Sequence, residues 1–172
     1  MEAGTLRGMT SPLHFTQGDL PAAAGVVGAT ARHQEALGRT LWPPASVTPE
    51  RLARHYPAPT WHVAWRADEA VGAFSLLSSD PPFWPDDPPG EALYLHKLAV
   101  HPAAQGQGLA HALLSHAVEV TRSAGRPWLK LDTAATRSAL QRLYETFGFE
   151  RMGERDVFDF RVVLYRLPIP PT

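Results

Sequence analysis

Cysteine is absent from the chain, which excludes disulfide frameworks, cysteine-held zinc and a thiol nucleophile. Charge of one sign is also lacking. Sixteen Lys+Arg stand against 17 Asp+Glu for a formal net charge of −1, so the basic field of a dedicated nucleic-acid binder is missing. No apolar run approaches the ~20 residues of a membrane span, and the opening MEAGTLRGMT carries no apolar core of a secretory signal. These absences predict a cytoplasmic domain with neither a nucleic-acid nor a membrane partner. What remains is 172 residues at 44% hydrophobic, enough for one compact domain with a real core.

Proline is abundant, at 17 residues, and unevenly placed. Five lie between Pro81 and Pro89, whereas Gly90–Leu167 holds only Pro102 and Pro127. Residues 91–167 therefore read as the regular framework, with the earlier prolines marking turns and loops. Element by element, Leu13–Phe15 reads as a strand and Asp19 as the cap of a helix over Leu20–Ala36. Thr48-Pro49-Glu50 opens a second helix, and Trp61–Arg66 with Val71–Leu77 form a hairpin around Asp68-Glu69. The loop SSDPPFWPDDPPGEA is long for a compact domain, hence functional or mobile. Leu93–Val100 is a strand, Gly108–Ala124 a helix ending at Gly125, and Trp128–Asp132 a short strand. Leu140, Leu143, Tyr144 and Phe147 give a helical stripe ending at Gly148, and Val157–Leu167 a last strand. This order predicts an α+β (mixed α/β) domain.

The most informative segment is LYLHKLAVHPAAQGQGLAHALLSHA, residues 93–117. A strand ends at Val100, and Gly106 and Gly108 fall where the next helix begins. Glycines let the backbone approach a ligand, and a helix N-terminus offers unpaired N–H donors to a phosphate. A helix entry that merely needs flexible residues would look the same. The Gly-Lys-Ser/Thr of a P-loop is missing, and His111 stands where a dinucleotide fingerprint needs its third glycine.

Gln105-Gly106-Gln107-Gly108-Leu109-Ala110 resembles the Arg/Gln-x-x-Gly-x-Gly/Ala signature of GCN5-related N-acetyltransferases. Leu98-Ala99-Val100 matches the strand before that turn, and LQRLYETFGF, residues 140–149, resembles the family's second conserved region. The resemblance implies one domain over 1–172 with its coenzyme-binding core at 93–149. It implies a mostly antiparallel twisted sheet, splayed where acetyl-CoA binds, with about four flanking helices. Acetyl-CoA is then the co-substrate, held by Leu98, Ala99, Val100 and Gln105 through Ala110, with no metal. One position departs: Arg137 stands where the family often has asparagine. An arginine there could meet a phosphate or simply be solvated.

Acetyl transfer to an amine needs a base for an ammonium of pKa about 10.4, a donor for the developing oxyanion, and an acid for the thiolate. The resemblance assigns the oxyanion to the main chain of Leu98–Val100 and the acid to Tyr144, which could equally be an aromatic of the helix stripe. His96 is the candidate base, pointing by alternation to the face of Leu98 and Val100; serotonin N-acetyltransferase is similar here, with a catalytic histidine in the matching strand. A structural histidine at a strand end is the competing reading, with Tyr94 or an acid relaying through water instead. Asp86, Asp87 and Glu91 could attract a cationic amine, and Trp42-Pro43-Pro44 and Phe83-Trp84-Pro85 could line its pocket; solvated charges and packed loop residues explain them as well. The resulting expectation is an N-acetyltransferase acting by direct attack on a small-molecule or peptide amine, with a homodimer open. A non-catalytic acyl-CoA-binding regulatory module, another acyl donor, an oxygen acceptor and a nucleotide-binding domain are the alternatives.

Overall fold

The computed structural model describes residues 11–172; residues 1–10, whose sequence reads as no secretory signal, lie outside them. The elements in chain order are β1 (Leu13–Gln17), α1 (Leu20–Ala36), α2 (Pro49–His55), β2 (Trp61–Arg66), β3 (Glu69–Leu77), β4 (Ala92–Val100), α3 (Leu109–Ser123), β5 (Trp128–Ala134), α4 (Ser138–Phe147), β6 (Glu150–Val157) and β7 (Phe160–Pro168). The seven strands form one sheet in the order β1-β2-β3-β4-β5-β7-β6. The β1–β2, β2–β3, β5–β7 and β6–β7 pairs run antiparallel and β4–β5 runs parallel. The mixed α/β class and the four helices agree with the sequence reading. Among the described residues no helix is long and apolar enough to cross a membrane.

The chain gathers into two compact units: residues up to Ser75 with Lys97–Leu113, and Leu76–His96 with Leu114–Thr172. In the first, α1 begins where the sequence places it, because Asp19 Oδ1 accepts from the Ala22 N–H at 3.0 Å and satisfies a donor the helix cannot. Thr48 does the same for α2 at the Arg51 N–H. Ala23, Ala24, Val26, Val27 and Ala31 of α1 are buried with Leu52, Trp61, Val63, Ala73 and Ala99. Small α1 side chains bring its backbone close to the sheet; Thr30 Oγ1 bonds the carbonyl of Val100 at 3.0 Å. The tightest approach is at Gly72, where a Cβ would come within 2.9 Å of Leu113.

In the second unit, Leu129, Leu131, Val163 and Tyr165 are buried on β5 and β7. Here the last strand is corrected. The segment read as one strand over Val157–Leu167 is the end of a hairpin: β6 occupies Glu150–Val157, and the chain reverses before Phe160, with Phe158 at φ +53. ERMGERDV puts one buried residue, Val157, on a strand otherwise half-buried or exposed. Being an edge strand with little apolar alternation, it shows no period-2 signal. The first hairpin also turns a residue early. Arg66 pairs with Glu69, and Ala67 takes φ +50.

Candidate functional site

The glycine turn lies in the first unit. β4 ends at Val100, and His101 Nδ1 accepts from the Ala103 N–H at 3.1 Å as the chain leaves the strand. The His101 N–H in turn donates to the carbonyl of Val71 at 2.8 Å, beside the register shift of the β2–β3 pair. Gly106 and Gly108 have φ +80 and +71, and α3 starts at Leu109. Two left-handed residues in three cost a side-chain-bearing residue about 1–2 kcal/mol each. A Cβ at either position would meet no atom within 4 Å, so packing does not demand glycine here. Conformation does, and the open cradle at the helix N-terminus fits a phosphate approached closely by backbone N–H groups. Leu109 is buried, Gln107 and Ala110 are half-buried, and Gln105 is exposed.

Strand β4 changes character at Lys97, a non-glycine residue at φ +56. Its register with β5 runs from Ala92↔Trp128 to Leu95↔Leu131 and stops there. A left-handed residue breaks strict alternation, so the simple pattern that sets His96 on the face of Leu98 and Val100 does not carry through. The Lys97 ammonium lies 5.1 Å from the Trp42 ring centroid and 5.6 Å from that of Tyr56. Trp42 is therefore a cation-holding wall for the chain's own lysine.

His96 belongs to the second unit. Its Nε2 is 2.8 Å from Asp80 Oδ2, and its side chain keeps 11% exposure. The Phe83 ring is tilted against it at 6.0 Å. Asp132 of β5 completes a cluster in which one ligand-type atom of each of Asp80, His96 and Asp132 lies within 4.8 Å of the others. One imidazole thus lies beside two carboxylates. Neither Asp80 nor Asp132 is marked by local pattern: one lies in the proline loop and the other inside a strand.

Tyr144 is buried on α4, edge-on to Phe149 at 5.8 Å and tilted against Tyr165 at 5.9 Å. Burial first, then the charges of Asp132 and Tyr165, push its phenol well above the ordinary tyrosine value. Tyr165, which donates to Glu145 Oε2 at 2.8 Å, is pushed up to about 12, chiefly by burial. Arg137, half-buried, precedes α4, with its N–H on the Ala134 carbonyl and its own carbonyl accepting from Gln141.

The acidic loop is committed internally. Lys130, 5% exposed, donates to Asp87 Oδ2 at 2.8 Å and Glu91 Oε2 at 3.0 Å, with its ammonium 4.6 Å from the Trp84 ring centroid. Tyr94 donates to the same Asp87 oxygen at 2.6 Å. Burial alone would raise the Asp87 carboxyl, but Lys130 and Tyr94 outweigh it and hold it below the usual carboxylate range. Asp87 and Glu91 therefore fasten the loop to β5, and their charge is spent there.

A family model for the acetyltransferase (GNAT) family matches residues 30–149. The chain belongs to this family. The matched span holds the glycine turn, His96, Asp80 and the α4 segment with Tyr144. The uncharacterised N-acetyltransferase YesJ of Bacillus subtilis (strain 168) is 33% identical over 94 residues, 52% of this chain and 52% of YesJ, so the match spans about half the length of that curated relative. Among solved structures, a GNAT-family acetyltransferase from Listeria monocytogenes 4b F2365 superposes with a TM-score of 0.72 at 20% identity, over 91% of this chain and 94% of that one. The ribosomal-protein-S18-alanine N-acetyltransferase of Escherichia coli gives 0.67 at 20%, over 94% and 96%. The yncA protein of Salmonella typhimurium, solved with its cofactor acetyl-CoA, gives 0.64 at 19%, over 93% and 95%. These likenesses establish the GNAT fold.

Proposed function

We propose that this chain is an acetyl-CoA-dependent N-acetyltransferase, residues 1–172 acting as one catalytic domain on a small-molecule or peptide primary amine. The observation that carries the reading is the pair of left-handed glycines, open on their Cβ side, at the N-terminus of α3. Acetyl-CoA supplies an activated acyl carbon and a thiolate leaving group. The main-chain N–H groups of the Gln105–Ala110 turn hold its pyrophosphate, and Arg137 adds a charge toward a phosphate. The main chain of Leu98, Ala99 and Val100 orients the thioester and faces the oxygen that gains negative charge.

In this reading His96, oriented by the Asp80 carboxylate at its Nε2, takes the proton of the arriving ammonium. Asp80 and Asp132 lie beside the ring that takes it. The amine nitrogen bonds to the acetyl carbon, the carbon–sulfur bond breaks, and the Tyr144 hydroxyl protonates the thiolate. The surplus proton on the acylated nitrogen returns to the tyrosinate to leave a neutral amide. A phenol whose ionisation is suppressed by burial and a nearby carboxylate stays loaded with its proton at any physiological pH, as an acid must. With no cysteine in the chain, a covalent acyl-thiol intermediate has no residue to form on, which supports direct attack. A coenzyme of the metabolic pool and a cysteine-free chain suit the cytoplasm.

The test is calorimetric titration with acetyl-CoA, with ATP and NAD as controls, followed by thiol release against a panel of amines. Selective, saturable acetyl-CoA binding with amine-dependent thiol release is expected. Binding without thiol release would reduce the protein to an acyl-CoA-binding module, and no binding would dismiss the donor site altogether. His96→Ala and Tyr144→Phe should each lower kcat by about a hundredfold with acetyl-CoA affinity kept. Full turnover at saturating substrate in either variant would remove that residue from its role.

A further inference from the structure

Coenzyme A carries three phosphoryl groups, yet the segment that would meet them is uncharged. From Leu98 to Thr121 there is no lysine or arginine, and the signature's first position is Gln105 in place of arginine. The structure brings a cation to that turn from elsewhere in the same unit. Arg66, the last residue of β2 and 41 positions away in sequence, donates from Nη1 to the side-chain oxygen of Gln107, between the two left-handed glycines. Its Nε is buried and, among the described residues, has no hydrogen-bond partner. Arg66 as a whole is half-buried, so its guanidinium reaches the turn with one N–H still calling for an acceptor, a water or a ligand oxygen.

The backbone explains how Arg66 gets there. The β2–β3 register shifts between Ala64 and Trp65, so that Ala64 faces Gly72 and Trp65 faces Ala70, passing over Val71. Such a bulge bends and twists the hairpin end, and the carbonyl of Val71 accepts from the His101 N–H as the chain enters the turn. The hairpin and the glycine turn are thereby tied by two hydrogen bonds, one from each side.

We infer that Arg66 is a phosphate ligand of the donor site, supplying to the coenzyme pyrophosphate the cation that the glycine turn lacks, with Gln107 holding the guanidinium in place. This rests on the acetyl-CoA reading and adds to it a residue outside the turn's signature. A guanidinium is suited to the role because it is always charged and offers paired N–H donors to phosphate oxygens.

The experiment is calorimetric titration of wild type, Arg66→Gln and Arg66→Lys with coenzyme A and with its 3′-dephospho form. Arg66→Gln should weaken both ligands by the same factor, about tenfold to a hundredfold, and Arg66→Lys should recover part of the loss. The wild-type affinity should fall more steeply with added salt than that of Arg66→Gln. Equal affinity of wild type and Arg66→Gln for coenzyme A overturns the inference. Weakening confined to intact coenzyme A overturns it too, assigning the residue to the 3′-phosphate. Should Arg66→Gln fail to fold by thermal melt, Gln107→Ala carries the test with a smaller but parallel loss on both ligands, and no loss again overturns it. Wild type that binds neither ligand would fail the donor-site reading itself, a result distinct from a wild type that binds and an Arg66 variant that binds equally well.

Discussion

The Gln105–Gly108 turn and the proline loop at residues 78–91 solve the same problem, holding irregular chain in one place, by opposite means. The turn uses backbone: two left-handed glycines and a helix start, all within five residues. The loop uses side chains: Lys130 on Asp87 and Glu91, Tyr94 on Asp87, and Asp80 on His96, with partners up to 43 positions apart. A backbone device writes its requirement into adjacent letters. A side-chain network spreads it over the chain, where each letter has an ordinary alternative meaning.

The largest effect is expected where the backbone device is broken. Replacing Gly106 and Gly108 together by valine imposes left-handed strain at both and fills the cradle, so acetyl-CoA affinity should fall by about a hundredfold or more, read by calorimetry. The same strain should cost about 2–4 kcal/mol of stability, all of it conformational because no neighbour is displaced; retained affinity in the folded variant would mean that the turn does not touch the coenzyme. The loop is broken through a side chain instead. Lys130→Met leaves Asp87 and Glu91 without their cation and should cost about 2 kcal/mol of stability, below the range for a fully buried pair because both carboxylates are partly solvated. Chemical denaturation measures this, and an unchanged midpoint would make the loop's ion pairs ornamental.

Asp80→Asn is finer. It keeps the shape but removes the charge next to His96, and kcat should fall about tenfold with acetyl-CoA affinity unchanged. Wild-type turnover would reduce Asp80 to a loop anchor. The smallest effect concerns pH. Burial lowers the His116 pKa on α3 from its ordinary 6.5, against a weaker opposing pull from Glu119. A depressed folded value gives stability that is whole above about pH 6.5 and declines as pH falls toward the lowered value. Asp87, also depressed, keeps its contribution until pH falls below 3.8. Between those limits the melting temperature should drop slightly on acidification, and His116→Gln should flatten that part of the curve.

The same contrast explains what could be read in advance. Asp19, Thr48 and the residues flanking Gly125 and Gly148 give helix limits within a residue or so, since caps are local. The glycine turn was legible for the same reason. β6 was not, because an exposed edge strand buries one side chain and needs no pattern. The positive φ of Lys97 is equally silent, as lysine gives no sign that a strand will turn under it. Asp80 and Asp132 gather on His96 only through the fold, so the histidine was visible as a candidate while its carboxylates were not.

The exposed border formed by β6 has a consequence for self-association. Two copies joined edge to edge about a two-fold axis must pair antiparallel, with one residue of β6 opposite its own copy. Centring that axis on Arg151, Glu154 or Arg155 sets the residue against an identical charge. Centring it on Met152 opposes Glu150 with Glu154, and on Gly153 it opposes Arg151 with Arg155 and Glu150 with Asp156. Every symmetric register about the middle of the strand therefore meets like-charge repulsion. The alternating acids and bases of ERMGERD leave this border open to water and closed to its own twin.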